Sequence, residues 1–316
     1  MSKQPLIVIC GPTASGKTAL SIAIAKALGC EVVSADSMQI YKGMQIATAK
    51  PTEAEMDGVK HHLVDFLDAG ESFSVADYVR LAHKAIEDIS NRGLFPLVCG
   101  GTGLYINSLI DNISFDETCT STDLRDELLT LANEHGNAYL LEMLREFDPD
   151  TADKLHENNL NRIIRAIEVY KVTGVTMSET VKNSRLVESP YDVCVIGINY
   201  ADRQHLYDRV NLRVDLMLKD GLLDEAESVL QNDSLKTSYQ AIGYKELAPY
   251  FKGEASLDDC IERLKLETRH YAKRQLTWFR RDERINWIYP DECLDFNEVV
   301  NKALEIINES GVLKKR

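Results

Sequence analysis

Five consecutive apolar residues, Leu6 to Cys10, run directly into Gly11-Pro12-Thr13-Ala14-Ser15-Gly16-Lys17-Thr18, and a stretch rich in Ala, Ile and Leu follows as far as Gly29. The octapeptide fits G-x-x-x-x-G-K-[ST], and its setting after a strand and before a helix is the one a phosphate-binding loop requires. Background residue frequencies produce the pattern in roughly one chain in a hundred of this size, and the correct setting lowers those odds further. Glycines let backbone N–H groups converge on phosphate oxygens at a helix N-terminus. The Lys17 ammonium neutralises charge there, and the Thr18 hydroxyl is a ligand for Mg²⁺. A bound polyphosphate is predicted at residues 11–18, and its identity stays open because such a loop cradles any diphosphate.

The same feature points to the fold. A strand over 6–10, a helix over 18–28 and a second strand over 31–36 make a right-handed parallel unit. Two more strands are predicted over 94–99, ending in Gly100-Gly101-Thr102-Gly103, and over 192–199. Between about 114 and 188 the pattern is helical with polar spacers, and from Asp202 onward Leu206, Val210, Val214 and Met217 again mark an apolar helix face. The expected class is α/β: a P-loop NTPase-like parallel sheet core with a helical insertion domain and a helical C-terminal region. Its predicted parts are residues 1–113 (first part of the core), 114–188 (insertion) and 189–316 (core completion and C-terminal helices, the last residues from Gly311 frayed).

At 316 residues the chain can bury a large core without disulfide or metal staples. Its seven cysteines are scattered and odd in number, with no C-x-x-C pair, and read as reduced thiols. No stretch approaches the ~20 apolar residues of a membrane helix, and the N-terminus lacks the features of a secretory signal, so a cytoplasmic location is expected. The net charge of −14 argues against indiscriminate nucleic-acid coating. Locally the balance reverses: Arg263 to Arg284 hold eight Lys or Arg against three acidic residues. Lys265, Arg269, Lys273 and Arg280 recur at helical spacing as one stripe, with Ile261, Leu264, Thr268 and Tyr271 free to face a core.

Asp36 ends the second strand on the side where open α/β sheets bind ligands. It suits either a water-mediated hold on Mg²⁺ or a general base, and the structural alternative is a turn or helix-cap aspartate. Thr102, in a glycine turn after another strand, would present a hydroxyl to the same crevice. His61-His62 is a poor metal pair, because adjacent histidines point apart and no carboxylate stands at ligand spacing.

Six ordered motifs then coincide: the loop of residues 11–18, Ser34-Ala-Asp36-Ser37-Met38-Gln39-Ile-Tyr41, Thr48-Ala-Lys50-Pro51, Gly100-Gly-Thr-Gly-Leu-Tyr105, Arg162-Ile-Ile-Arg165-Ala and Arg274-Gln-Leu-Thr-Trp-Phe-Arg280. Together, from residue 5 to about 289, they closely resemble the tRNA isopentenyltransferase family in its bacterial form. Glu157-Asn158-Asn159 stands where the family has a Pro-Asn-Asp type of turn, and no C-terminal zinc finger of the eukaryotic kind follows. The resemblance implies transfer of a dimethylallyl group from dimethylallyl diphosphate to N6 of adenosine 37, beside the anticodon. It implies Asp36 and Thr102 as catalytic residues, Arg213 joining residues 11–18 on the diphosphate, and Mg²⁺ on Thr18. Contact with the tRNA anticodon stem-loop falls by the same resemblance to Asp36, Ser37, Met38, Gln39, Thr102, Arg125, Asn161, Arg162, Ile163, Ile164, Arg165, Gln240, Ala241, Ile242, Gly243, Tyr244 and Lys245. Lys273, Arg274 and Arg280 of the basic segment join them, and a monomer with no membrane and no obligate protein partner is expected.

Two rivals remain at this level. A small-molecule P-loop kinase shares the strand, loop and Mg²⁺ logic and predicts ATP consumption. A non-catalytic, nucleotide-gated RNA-binding protein would keep the basic stripe and tolerate loss of Asp36.

Overall fold

The computed structural model describes residues 3–113, 122–184, 187–231 and 241–314. In chain order, β1 (Gln4–Cys10), α1 (Lys17–Leu28), β2 (Cys30–Ser34), α2 (Glu53–Met56), β3 (His61–His62), α3 (Val75–Asn91), β4 (Phe95–Gly100) and α4 (Gly103–Ile110) come first. A helical stretch follows: α5 (Thr122–His135), α6 (Asn137–Arg145), α7 (Pro149–Ala152), α8 (Leu160–Thr173) and α9 (Met177–Ser184). The chain closes with β5 (Tyr191–Ile198), α10 (Arg203–Lys219), α11 (Leu222–Leu230), α12 (Tyr244–Phe251), α13 (Leu257–Phe279), β6 (Ile285–Ile288) and α14 (Phe296–Ser310). Packing separates two units, Met1–Ile110 with Pro190–Arg316, and Asp111–Ser189.

The larger unit is built on one six-stranded sheet in the order β3-β2-β4-β1-β5-β6, with every described pairing parallel. Its central strand explains the apolar run of the sequence, since β1 is covered on both faces and alternate residues serve different cores. Leu6, Val8 and Cys10 pack with Tyr78, Ala82 and Ile86 of α3 and with Ile106 and Leu109 of α4. Ile7 and Ile9 pack with Leu20 and Ile24 of α1 and with Val299, Ala303 and Ile307 of α14. Because α1 and α4 leave the adjacent strands β1 and β4 on opposite faces, a crevice opens at the carboxyl ends of these two strands, the usual binding place in such sheets. A third core joins Ile40, Tyr41 and Met44 of the loop after β2 to Val214, Leu222, Tyr244, Leu247 and Leu264 of the C-terminal helices.

The two strands absent from the sequence reading, β3 and β6, are short edge strands of two and four residues. The C-terminal residues expected to fray form a short 3₁₀ turn, Val312–Lys314, because Val312 is only 1% exposed and packs on the α1 and α14 side of the sheet. Arg92 binds the Glu31 carboxylate and His62 donates a 2.6 Å hydrogen bond to it from Nε2, which together hold Glu31 well below the usual carboxylate range at about 2. This histidine is thus part of an ion-pair network at the edge of the sheet. The six described cysteines are free. Among the described residues no helix is long and apolar enough to cross a membrane.

The helical unit has its own core of Leu128, Ala132, Leu140, Leu144, Ile163, Ile164 and Ile167. Phe147 stacks on Tyr170 beside it, with ring centroids 4.0 Å apart.

Candidate active site

The phosphate loop is shaped by close packing. A Cβ at Gly11, whose φ is +148°, would lie 2.4 Å from the Ile198 carbonyl oxygen at the end of β5, so only glycine fits there. Lys17 donates to the Pro12 carbonyl at 2.6 Å, and Arg209 of α10 donates from Nε to the Ala14 carbonyl at 3.0 Å. The Ser15 hydroxyl, in a residue 2% exposed, has no hydrogen-bond partner among the described residues. A buried, unpartnered hydroxyl costs free energy unless a ligand satisfies it.

Two cavities meet at this loop. One, of about 290 Å³, is lined by Thr13, Lys17, Thr18, Asp36 and Arg213 together with apolar Val214, Met217, Leu222, Ile242 and Leu264. The other is an open cleft of about 960 Å³ lined by Ala14, Ser15, Gly16 and Arg209 among others. Lys17, Thr18 and Arg213 border both. Burial pulls the Lys17 ammonium down to about 8, with the Arg213 charge adding to the fall and Cys99 and Asp36 opposing it. Burial likewise lowers Arg213, opposed by Asp36 and Glu55. Among the described residues neither cation has a carboxylate within ion-pair distance. Two half-buried cations that face a cavity without an ion-paired carboxylate are arranged for an anion.

Asp36 combines the roles the sequence held apart. Its Oδ1 accepts from the N–H groups of Met38 (2.9 Å) and Gln39 (3.3 Å), which caps the turn, while Oδ2 carries no hydrogen bond among the described residues and the residue lines the smaller cavity. The turn fixes the carboxylate and leaves one oxygen for chemistry. Thr102 is held by its backbone N–H to the Ala35 carbonyl, and its hydroxyl accepts from the Ser37 N–H at 3.0 Å. It stands behind Ser37 and is not among the residues lining the cavity, whereas its neighbours Gly100 and Gly101 are.

Of the other positions expected to meet RNA, Ser37, Met38, Gln39, Ala241, Ile242, Gly243, Lys245 and Arg274 line the smaller cavity. Gln39 spends its amide N–H groups on the Thr48 and Ala49 carbonyls. Lys273 and Arg280 are exposed. Gln240 lies outside the described residues. Three expectations need correction. Tyr244 is fully buried, with its hydroxyl donating to Glu225, and it anchors the segment without facing a ligand. Ile163 and Ile164 are 0% exposed in the helical core, so they hold α8 in place while exposed Asn161 and Arg162 share its outer face. The basic stripe on α13 also divides. Lys265 pairs with Asp215 at 2.9 Å and Arg269 donates to Asn211 at 2.7 Å, so both are tied to α10, and only Lys273, Arg274 and Arg280 are left outward. In the helical unit Arg125 reaches Asn161 and the buried carboxylate of Glu168, which Arg165 also approaches at 3.9 Å.

Two residues that sequence reasoning passed over hold the loops around the crevice. Glu225 of α11 accepts from the backbone N–H groups of Gln45, Ile46 and Ala47 at 2.7–2.9 Å and so shapes the loop after β2. Gln275 of α13 bridges the phosphate loop and the Gly101 turn. Glu225 has no local signal at all, and Gln275 lay inside a recognised motif without a reason for its presence.

Fold and cavities together define a phosphate-loop α/β protein with a crevice, lined by Lys17 and Arg213, at a switch point of its sheet. The family model described as IPP transferase matches residues 39–282. The chain belongs to this family, the tRNA isopentenyltransferases. It is 50% identical over 302 residues to the tRNA dimethylallyltransferase of Acetivibrio thermocellus, covering 95% of this chain and 96% of that one. It is 45% identical to the tRNA dimethylallyltransferase of Caldanaerobacter subterraneus, covering 98% of each. The crystal structure of the full-length tRNA isopentenylpyrophosphate transferase of Bacillus halodurans superposes with a TM-score of 0.72 at 42% identity, over 99% of this chain and 100% of that chain. A eukaryotic dimethylallyltransferase acting on tRNA matches with a TM-score of 0.82 at 30% identity, over 99% of this chain and 80% of that one. These relatives set the kinase reading aside.

Proposed function

We propose that this protein transfers the dimethylallyl group of dimethylallyl diphosphate to N6 of adenosine 37 in tRNA, releasing diphosphate and leaving N6-(dimethylallyl)adenosine. The observation that carries the reading is the pairing, in one cavity, of two half-buried cations outside ion-pair distance of any described carboxylate with an aspartate whose own turn leaves one oxygen free. Lys17, Arg213 and the loop N–H groups bind the diphosphate and stabilise the charge that grows on it as the allylic C–O bond breaks. The adenine amine forms the new C–N bond, and its proton passes to Asp36 Oδ2; general-base help of this kind is worth ~10²–10⁴-fold. Thr102 acts through Ser37, steadying the turn that presents Asp36.

The apolar lining from α10, α11 and α13 suits a five-carbon prenyl tail and keeps water from the activated donor. The target base has to leave its stack to enter, at a cost of a few kcal/mol that is smallest in a loop. Exposed Lys273, Arg274 and Arg280, and Arg162 in the helical unit, meet the phosphates of the anticodon stem-loop. Mg²⁺ fits the donor set: the Thr18 hydroxyl is a hard oxygen ligand lining the same cavity, and the orphaned Ser15 hydroxyl marks room for phosphate oxygens. When bound, the ion would supply charge neutralisation of the leaving diphosphate. The location that fits such a substrate is the cytoplasm.

The test mixes the protein with labelled dimethylallyl diphosphate, Mg²⁺ and an anticodon stem-loop carrying adenosine at position 37. Label should move to the RNA without ATP, and an inosine at that position should stop it. Label that stays on the donor, or a requirement for ATP, would remove the proposal.

A further inference from the structure

Gln275 is 7% exposed, yet both ends of its amide are spent on groups far away in sequence. Oε1 accepts from the Thr13 N–H in the phosphate loop at 2.8 Å, and Nε2 donates to the Gly101 carbonyl at 2.9 Å. The partners lie 262 and 174 residues away, on the two loops after the adjacent strands β1 and β4 that both line the smaller cavity. The approach at Gly101 is close: a Cβ there would come within 2.2 Å of Gln275 Nε2. One helical turn on, α13 takes hold of the same turn again. The Trp278 indole N–H donates to Asn107 at 2.7 Å, and its ring fills the place of a Cβ at Gly103. Thr102 is therefore bracketed by two α13 side chains at i and i+3, of which Gln275 also reaches the diphosphate loop.

We propose that Gln275 is a positioning residue that fixes the separation between the phosphate loop and the turn carrying Thr102. It acts on the reacting atoms only through those two loops. Its place on α13 between outward Arg274 and the crevice makes the helix that meets RNA the same one that sets this separation. The inference rests on the proposed transfer reaction for its catalytic readout, and on diphosphate binding for an independent one.

The experiment compares Gln275→Glu, Gln275→Ala and Gly101→Ala with the wild-type chain in three measurements: affinity for inorganic diphosphate with Mg²⁺, single-turnover transfer to the anticodon stem-loop, and the thermal midpoint. Gln275→Glu keeps an acceptor for Thr13 but sets oxygen against oxygen at Gly101. Diphosphate affinity should hold within about threefold while transfer falls about 30-fold. Gln275→Ala loses both bonds, so affinity should drop about tenfold and transfer about 100-fold. Gly101→Ala pushes the amide aside and should cost about 30-fold in transfer alone, but less than about threefold more when added to Gln275→Ala, because the clash has gone. Should Gln275→Ala not fold, Gln275→Met replaces it in the single-variant comparison, keeping the side-chain length and neither bond. Equal losses of affinity and transfer in Gln275→Glu, or additive losses in the double variant, would overturn the proposal. If the wild-type chain transfers nothing, the functional reading fails; unchanged diphosphate affinity in Gln275→Ala would then still refute the latch and a tenfold loss would still support it.

Discussion

In the helical unit three arginines are balanced where they stand: Arg125 and Arg165 share the buried Glu168, and Arg145 pairs with Glu142 and Asp153. In the crevice of the larger unit Lys17 and Arg213 are half-buried and, among the described residues, have no carboxylate within ion-pair distance. The first arrangement serves the fold and contributes little, since partly exposed pairs are typically worth ~0–1 kcal/mol. The second costs the free protein stability and is recovered only when an anion arrives. Basic residues alone do not mark a site; basic residues held at a cost do.

The strongest way to break this contrast is Asp36→Ala, the acid that faces the crevice without neutralising it. Single-turnover transfer should fall about 10³-fold with tRNA affinity within about threefold, and Thr102→Ala should fall about tenfold because it acts through Ser37. Full activity in both would end the chemical assignment.

Next in size is Lys17→Ala, expected to lower both transfer and diphosphate affinity about 10²-fold. Its pH dependence sharpens the point. The free protein holds this ammonium at about 8, and a bound diphosphate favours the charged form. Affinity should thus stay level below about pH 7 and fall as pH rises through 8, with protons taken up on binding. Calorimetry in buffers of different ionisation heat reads that uptake, and Lys17→Arg, which stays charged, should flatten the curve.

Replacing Lys273 and Arg280 together with Ala should weaken tRNA about tenfold and reduce the slope of log affinity against log salt by about 1.5. Donor affinity should not move, and an unchanged slope would show that the outward end of α13 does not meet phosphates. The smallest effects belong to the helical unit. Arg162→Ala, at an exposed residue, should cost about threefold in tRNA affinity, and Arg165→Ala should show mainly in the thermal midpoint, by about 1 kcal/mol or less. A tenfold loss of RNA binding in Arg165→Ala would mean that balanced charge also serves the substrate.

Much of this was legible in the chain because the physics is local. Strand β1 is buried on both faces and so reads as unbroken apolar residues, and the loop after it has rigid spacing. Strands β3 and β6 carry no such signature, being two and four residues long and stabilised by neighbours already in place. Asp36 and Lys17 could be read from their segments. Glu225 and Gln275 could not, since their partners lie about 180 and 262 residues away and neither residue type is unusual on a helix. Helical spacing placed Lys265 and Arg269 on one face of α13 but not the presence of α10, which consumes them. Ile163 and Ile164 show the converse limit: a motif can carry residues whose task is to hold its neighbours.

The position of β1 also has a consequence for synthesis. It lies between β4 and β5, so one of its flanks is supplied by residues 95–100 and the other only by residues 191–198. A ribosome must make the whole intervening helical excursion before the second flank exists, at ~5–20 residues per second. Throughout that interval an apolar strand edge stands open to any other nascent chain, and the window closes only when β5 docks.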